Sequence, residues 1–544
     1  MTGQTNHTVV VGAGIGGLSA ALDLARQGQR VTVFERHAAP GGKLRTVNSA
    51  AGPVDAGPTV FTLRSVFEAL FADAGARLSD HLELHPADIL ARHFWPDGAT
   101  LDLFSDTERS AEAIAALSGA RDAAAFRAFH ARTAYLFDAL DAPMMRAPRP
   151  HPLGLMRTLG AQMPGLVRAA APLRSMWSQL QQEFEDPRLR QLFARYATYI
   201  GGSPFLSPAH LTLIWQAEAR GVQLVAGGMA KLAEALETLS KDRGVLFHYG
   251  ADVDQILVGD GRARGVSLST GEAFLADSVI FNGDPAALGS GALGAGVTRA
   301  ARARAPAQRS LSAYVWAFAA EARGRPLAHH NVFFGGDYAQ EFRDLFGIRR
   351  VPQDPTIYLC AQDRGIAEGP AAGPERFQII MNAPADGDCV VPTDEEIQRC
   401  ETRTFARLSA AGVMLDRPGP EALTTPWDFH RMFPATGGAL YGANPHGMMA
   451  SFRRPTARTQ IKGLYLAGGG THPGPGVPMA ALSGRHAAAA IVGDRVSTST
   501  SRQTGMLGGM SMGSAMTEHA GSRSSVLSGL SFLRIIAGRD ERRP

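Results

Sequence analysis

The sequence is poor in three things, and each shortage excludes a class of protein. Only three of its 544 residues are cysteine: Cys360, Cys389 and Cys400. They contain no CxxC pair and are too few for a disulfide framework, so they read as ordinary reduced residues of a cytoplasmic protein, and no metal site is expected. No apolar run reaches the roughly 18–20 residues that a membrane-spanning helix needs. Residues 8–18 are broken by glycines where a secretion signal would be continuous. Any membrane contact is therefore expected to be peripheral. Charge of one sign is also lacking. The 54 lysines and arginines against 50 acids leave a net +4, too little to point to nucleic acid.

A local shortage is as informative. Between Asp141 and Glu183 there is no acidic residue, yet Arg146, Arg149, Arg157, Arg168 and Arg174 are present. Met156, Leu159, Met163, Leu166, Ala170, Leu173 and Trp177 recur there at helical spacing, interrupted by Pro164 and Pro172. Two readings fit: an interfacial segment that dips into an anionic bilayer, or a pair of core helices with exposed arginines. From Ser497 onward no core pattern returns until Val526–Ile536, and that stretch reads as a largely disordered tail.

What the chain has in excess is glycine, 61 residues, and two glycine-rich stretches near its ends stand out. Thr8–Val11 reads as a buried parallel strand. It runs into Gly12, Gly14 and Gly17 of a GxGxxG turn, a helix, a second strand Val31–Phe34, and then Glu35. In that order the motif is a dinucleotide-binding unit. Gly12 permits the tight turn, Gly14 lets the backbone approach a pyrophosphate, Gly17 lets helix pack on strand, and Glu35 accepts hydrogen bonds from a ribose. A second loop of glycine and cations follows, Arg36 to Thr46 with Gly41, Gly42 and Lys43, and then Val54–Val60. An NAD domain normally continues here into helix and strand, whereas a second small-residue loop suits a larger cofactor, FAD. Near the other end, Gly463–Met479 reads as strand, bare glycine loop and helix start near Pro478, the far wall of the same site. Between them, Arg92–Leu103 reads as a hairpin with an Asp-Gly turn, Asp106–Phe137 and Asp186–Tyr199 as helical, and residues 300 to 440 as a second domain with an antiparallel sheet.

Taken together, Val9–Glu35, Gly41-Gly42-Lys43, Asp55–Thr59 and Gly463–Arg485 resemble the bacterial-type carotenoid (phytoene) desaturases, FAD enzymes of the wider amine-oxidase-like group. The likeness runs to about residue 495. Amine oxidases usually carry an acid where Gly469 or Gly470 stands, and the sequence lacks it. Within the branch, Gly202-Ser203-Pro204-Phe205, Trp215-Gln216-Ala217-Glu218 and Gly227-Gly228-Met229 look most like the 1-hydroxycarotenoid 3,4-desaturases.

The resemblance implies an α/β protein. A Rossmann-like FAD domain (1–90, 222–295, 440–495) would interleave with an α+β substrate domain (91–221, 296–439) and a helical membrane-facing part, with 496–544 as tail. It implies Gly12, Gly14, Ile15, Gly16 and Gly17 at the pyrophosphate and Glu35, with Arg36, at the ribose. Gly42, Lys43, Leu44, Pro58 and Thr59 would lie near phosphate or ribityl, and Val253 near adenine. Gly468, Gly469, Val477, Pro478 and Met479 would meet ribityl and isoalloxazine. The implied reaction is dehydrogenation of a hydrophobic carotenoid, with quinone or dioxygen as final acceptor, on the inner or intracytoplasmic membrane. Two residues are candidates for catalysis. Glu218 could accept a proton or simply be ion-paired, and His472 could act in the reaction or hydrogen-bond structurally. Rival readings are a small-substrate flavoprotein oxidase, a sister enzyme such as phytoene desaturase, and a prenyl-binding chaperone of the GDP-dissociation-inhibitor type.

Overall fold

The strand His7–Val11 is the centre of a five-stranded parallel sheet assembled from distant parts of the chain. In spatial order the strands are Leu464–Leu466, Ser278–Phe281, His7–Val11, Arg30–Glu35 and Leu246–Tyr249. The inner strands are short apolar runs buried on both faces, as a parallel sheet covered by helices requires, while the edge strand Leu246–Tyr249 alternates exposed and half-buried residues. The computed structural model describes residues 6–366 and 373–504. The stretch Val526–Ile536 and the arginines after it lie outside those residues.

One face of this sheet is closed by the fingerprint helix Ile15–Ala25, the helix Ala230–Asp242 and the C-terminal helix Val477–Thr504. That last helix continues into the stretch read above as tail. It crosses the fingerprint helix so closely that a Cβ on Gly484 would lie 2.0 Å from the Gly16 carbonyl.

A second sheet has seven strands in the order Leu423–Thr424, Ser312–Ala320, Glu375–Ala383, Ile357–Ala361, His330–Phe333, Ile89–Phe94 and Thr100–Phe104. All pairs are antiparallel except His330–Phe333 with Ile89–Phe94, which run parallel. The Asp-Gly hairpin therefore forms its far edge, with Gly98 at φ +84° in the turn.

Several sequence expectations shift locally. The region Asp106–Phe137 is two helices, Thr107–Ser118 and Ala120–Leu140, split at Gly119. The helix expected over Asp186–Tyr199 ends at Ala194 and tightens into a 3₁₀ turn, Arg195–Ile200. Pro164 does not interrupt a helix but starts one, Met163–Ala170, where its missing N–H costs nothing. Of the acid-free segment, Leu159 and Leu166 are buried against Leu136. Leu153, Met156, Val167 and Leu173 are exposed, as are Arg157, Arg168 and Arg174. Leu159 and Leu166 are thus core, as the second reading has it. No helix among the described residues is long and apolar enough to cross a membrane.

Candidate active site where the two ends of the chain meet

The loops that matter leave the C-terminal ends of the parallel strands. Gly12, at φ +101°, donates its N–H to Phe34 O at 2.8 Å, which closes the turn out of the first strand. A side chain at Gly17 would put Cβ 2.1 Å from Gly12 O. The glycine is thus a packing requirement. Gly14 opens the helix, and no side chain caps the N–H groups behind it. Such bare N–H groups at a dipole's positive end form an anion seat. Ile15 is buried behind them.

Glu35 is buried and accepts from the Ala13 N–H (2.7 Å) and the His37 N–H (2.9 Å), so it ties the fingerprint turn to the end of the second strand. Arg36 pairs with Asp252 at 2.9 Å, and Val253 begins its strand just beyond Ala251, whose N–H reaches Glu35 O. The second loop lies on the first: the Gly41 N–H donates to Ala13 O, and Gly42, at φ +60°, would place a Cβ 3.3 Å from Gly14 Cα. Leu44 is buried under it. Lys43 donates to Leu440 O at 2.6 Å. Burial pushes its ammonium down to about 8, although nearby Asp284 favours the charge.

The third loop, Asp55–Thr59, abuts the second, since a Cβ at Gly57 would meet Lys43 O at 1.8 Å. Asp55 caps the helix Ala230–Asp242 by accepting from the Met229 and Ala230 N–H groups. Pro58 is exposed, and Thr59 is buried with its hydroxyl 2.8 Å from that of Tyr358.

The C-terminal wall arrives against the fingerprint. A Cβ on Gly16 would stand 2.7 Å from the Gly468 N. Gly468 sits at φ +97°, Gly469 follows, and Val477, Pro478 and Met479 start the last helix. These surfaces are rich in glycine backbone, with two helix N-termini among them. They fit a long flat cofactor with a pyrophosphate. The sequence expectation missed Asn282, which links the walls. It follows the strand Ser278–Phe281 and donates from Nδ2 to Gly12 O (3.0 Å) and Gly14 O (3.3 Å). Its Oδ1 is buried without a partner, facing Gly16 and Gly468. The signal was the Asn-Gly-Asp turn at the end of a buried parallel strand.

Residues 15–492 match the family described as flavin containing amine oxidoreductase. The chain is 52% identical to hydroxyneurosporene desaturase of Cereibacter sphaeroides, over 90% of this chain and 98% of that one. This chain belongs to the flavin-containing amine oxidoreductase family, in its carotenoid-desaturase branch. FAD is its cofactor. The hydroxyneurosporene desaturase of Rubrivivax gelatinosus is 49% identical over 94% and 98% of the two chains. A zeta-carotene-forming phytoene desaturase of Myxococcus xanthus is 32% identical over 89% and 93%. Among solved structures, an oxidoreductase from Methanosarcina mazei superposes with a TM-score of 0.54 at 17% identity, over 88% and 99% of the two chains. An engineered putrescine oxidase gives 0.54 at 15%, over 90% and 99%. Those two show the amine-oxidase-like fold.

The two candidate catalytic residues of this desaturase sit apart. Glu218 is buried, and both its oxygens are taken. It accepts from the Tyr196 hydroxyl at 2.5 Å and from the Tyr199 hydroxyl, and Arg195 stands 3.5 Å away. Arg195 is itself buried, over the rings of both tyrosines. His472 turns away from its own loop. Its Nε2–H donates to Ala147 O at 2.8 Å, and burial pushes the imidazole down to about 4, so it is neutral. It fastens the Gly468–Pro475 loop to the segment ahead of the arginine-rich helices. His329, His330 and Cys360 bring three metal-capable atoms within 4.8 Å of one another. Both rings already use Nδ1, with Arg364 O and the Tyr358 hydroxyl, and burial raises the Cys360 thiol far above its usual range, which keeps it protonated.

Proposed function

We propose that the protein desaturates the C-3,4 bond of a 1-hydroxycarotenoid. The observation that supports this most is the 52% identity to a hydroxyneurosporene desaturase along 98% of its length. When bound, FAD supplies a two-electron acceptor that no side chain offers. The chain's part is to hold and orient. The N–H groups behind Gly14 and the Gly12–Gly17 turn take the pyrophosphate, and Glu35, Arg36 and Val253 the ribose and adenine end. Gly42, Lys43, Leu44, Pro58 and Thr59 line the middle. Gly468, Gly469, Val477, Pro478 and Met479 bring a second helix N-terminus, which favours negative charge near the flavin ring. Glu218 is a positioning residue in this reading, since its oxygens are occupied by two hydroxyls and a guanidinium.

The test is to incubate purified protein with phytoene, neurosporene and 1-hydroxyneurosporene and follow the red shift of the polyene absorption. Turnover of phytoene alone would sink the reading. A Gly468→Val variant is expected to fold and stay colourless, because its Cβ would meet Asn282 Oδ1 at 2.8 Å. If instead the wild-type protein never takes up FAD, the chaperone reading gains. We also infer peripheral attachment to the inner or intracytoplasmic membrane through Leu153, Met156, Val167, Leu173 and the arginines beside them. Flotation with anionic but not zwitterionic vesicles is expected, and flotation with neither would remove it. Quinone or dioxygen as final acceptor is separable by anaerobic turnover with and without added quinone.

A further inference from the structure

One face of the seven-stranded sheet carries buried polar groups that the flavin site does not use. His93 is fully buried. Its Nδ1 lies 3.1 Å from Leu101 O, and a carbonyl only accepts, so Nδ1 carries the proton and Nε2 is a bare acceptor. That Nε2 is buried with no partner. His330 is also buried, with Nδ1 at 2.7 Å from the Tyr358 hydroxyl, and its Nε2 is likewise unpartnered. With Tyr358 donating to Nδ1, the neutral ring presents Nε2–H as a donor. Burial holds both imidazoles well below the usual histidine range, and Arg195 pushes each further, so neither is a cation.

The two rings stand on the same face of neighbouring parallel strands. His93 pairs with Val332, which places His330 one diagonal away. Two residues along one strand and one strand across separate their Cα atoms by about 8 Å, within reach of two imidazoles meeting at one oxygen. One bare acceptor and one bare donor match a hydroxyl, which offers one of each. Each unpaired buried nitrogen destabilises the empty site, and a hydroxyl placed between them removes that cost.

The location agrees. Tyr358 also contacts the Thr59 hydroxyl at 2.8 Å, so His330 is two hydrogen bonds from the loop assigned to the flavin. In a 1-hydroxylated chain the carbon that bears the only polar group, C1, is two bonds from C3, so the hydroxyl's seat must adjoin the place where C3–C4 is oxidised. We infer that His330 and His93 form the seat of the substrate's tertiary hydroxyl, and that this seat makes the enzyme prefer a hydroxylated chain to an unsubstituted one. The inference rests on the C-3,4 desaturase reading above.

The experiment measures kcat/KM for 1-hydroxyneurosporene and for neurosporene in the FAD-loaded enzyme and its variants. In His330→Leu the value for the hydroxylated substrate is expected to fall about 10–100-fold more than that for neurosporene. His330→Asn, which keeps a donor, should restore most of the preference. His93→Leu, on a different strand, should reproduce the loss. Equal losses on both substrates in both leucine variants overturn the seat and mark the histidines as structural. A wild-type enzyme indifferent to the hydroxyl overturns the functional reading itself. A wild-type preference that survives in the variants overturns only the seat.

Discussion

The two faces of the seven-stranded sheet are made by the same strands and do opposite work. On one, Phe94, Trp316, Phe333, Leu359, Phe377 and Ile379 pack against Cys400, Phe405 and Leu408 of the helix Asp394–Ala410. Phe94 and Phe333 stack at 4.5 Å. On the other, among apolar neighbours such as Val332 and Leu101, the alternate residues His93, His330, Cys360 and Gln378 are buried just as deeply but are polar, and Tyr358 is half-buried beside them. Gln378 donates to Gly57 O at 2.7 Å, Gln362 brackets the main chain of Asp55, and Tyr358 reaches Thr59. Period-two alternation thus gives one sheet a face that holds it together and a face that grips the Asp55–Thr59 loop. The difference should show as two kinds of damage.

The largest effect is expected on the apolar face. Phe333→Ala empties a fully buried ring site and should cost about 3–5 kcal/mol. Thermal unfolding is expected several degrees lower, while FAD affinity of the folded fraction and the substrate preference stay close to wild type. A selective loss of FAD would erase the distinction between the faces.

Asp55 gives a second effect, of similar or smaller size, and its sign is unusual for a carboxylate. Burial raises it from 3.8 to about 6, against the pull of the Met229 and Ala230 N–H groups. A raised native value means that the folded state binds the proton more tightly. The stability contributed by this group is fully present below about pH 4 and is lost as pH rises to about 6, a change of about 3 kcal/mol at most. The advantage of wild type over Asp55→Asn in unfolding free energy should therefore shrink between pH 4 and 6 and level off above. A constant gap across that range would place the ionised form in a better-solvated site than this one.

The nucleotide half of the molecule was legible because its signals are local. The turn at Gly12, Gly14 and Gly17, the acid at Glu35 and the loop at Gly468 each need only a few adjacent residues to specify a backbone shape. The opposite held for the polar face. His93, His330, Tyr358 and Gln378 come from four separated strands, and only the register brings them to one side. Glu218 was legible as a candidate with ion pairing among its readings, but its partner Arg195 was not: Arg195 opens the 3₁₀ turn Arg195–Ile200, whose three-residue period breaks the helical spacing on which a pairing would be sought. Asn282 was within reach as a polar residue ending a buried strand, but its partners lie 270 and 268 residues away.

The smallest expected effect is the sharpest for the comparison. Gln378→Met keeps the volume of a fully buried side chain and removes one hydrogen bond, that to Gly57 O. Leaving that carbonyl unpaired costs about 1–3 kcal/mol. The bond is donated by Nε2, and the amide oxygen Oε1 is already unpartnered, so no other side-chain bond is lost. Gly57 sits between Lys43 and Thr59, and a carbonyl freed there shifts the flavin loop rather than the core. FAD dissociation, followed by recovery of flavin fluorescence, is expected to be about 10-fold more favourable at a cost of at most a few degrees in Tm. That is the reverse of the Phe333→Ala pattern, although the two side chains project from one sheet in opposite directions. If Gln378→Met lowered Tm as far as Phe333→Ala and left FAD affinity alone, both faces would be ordinary core, and the grip on Asp55–Thr59 would be a by-product of packing.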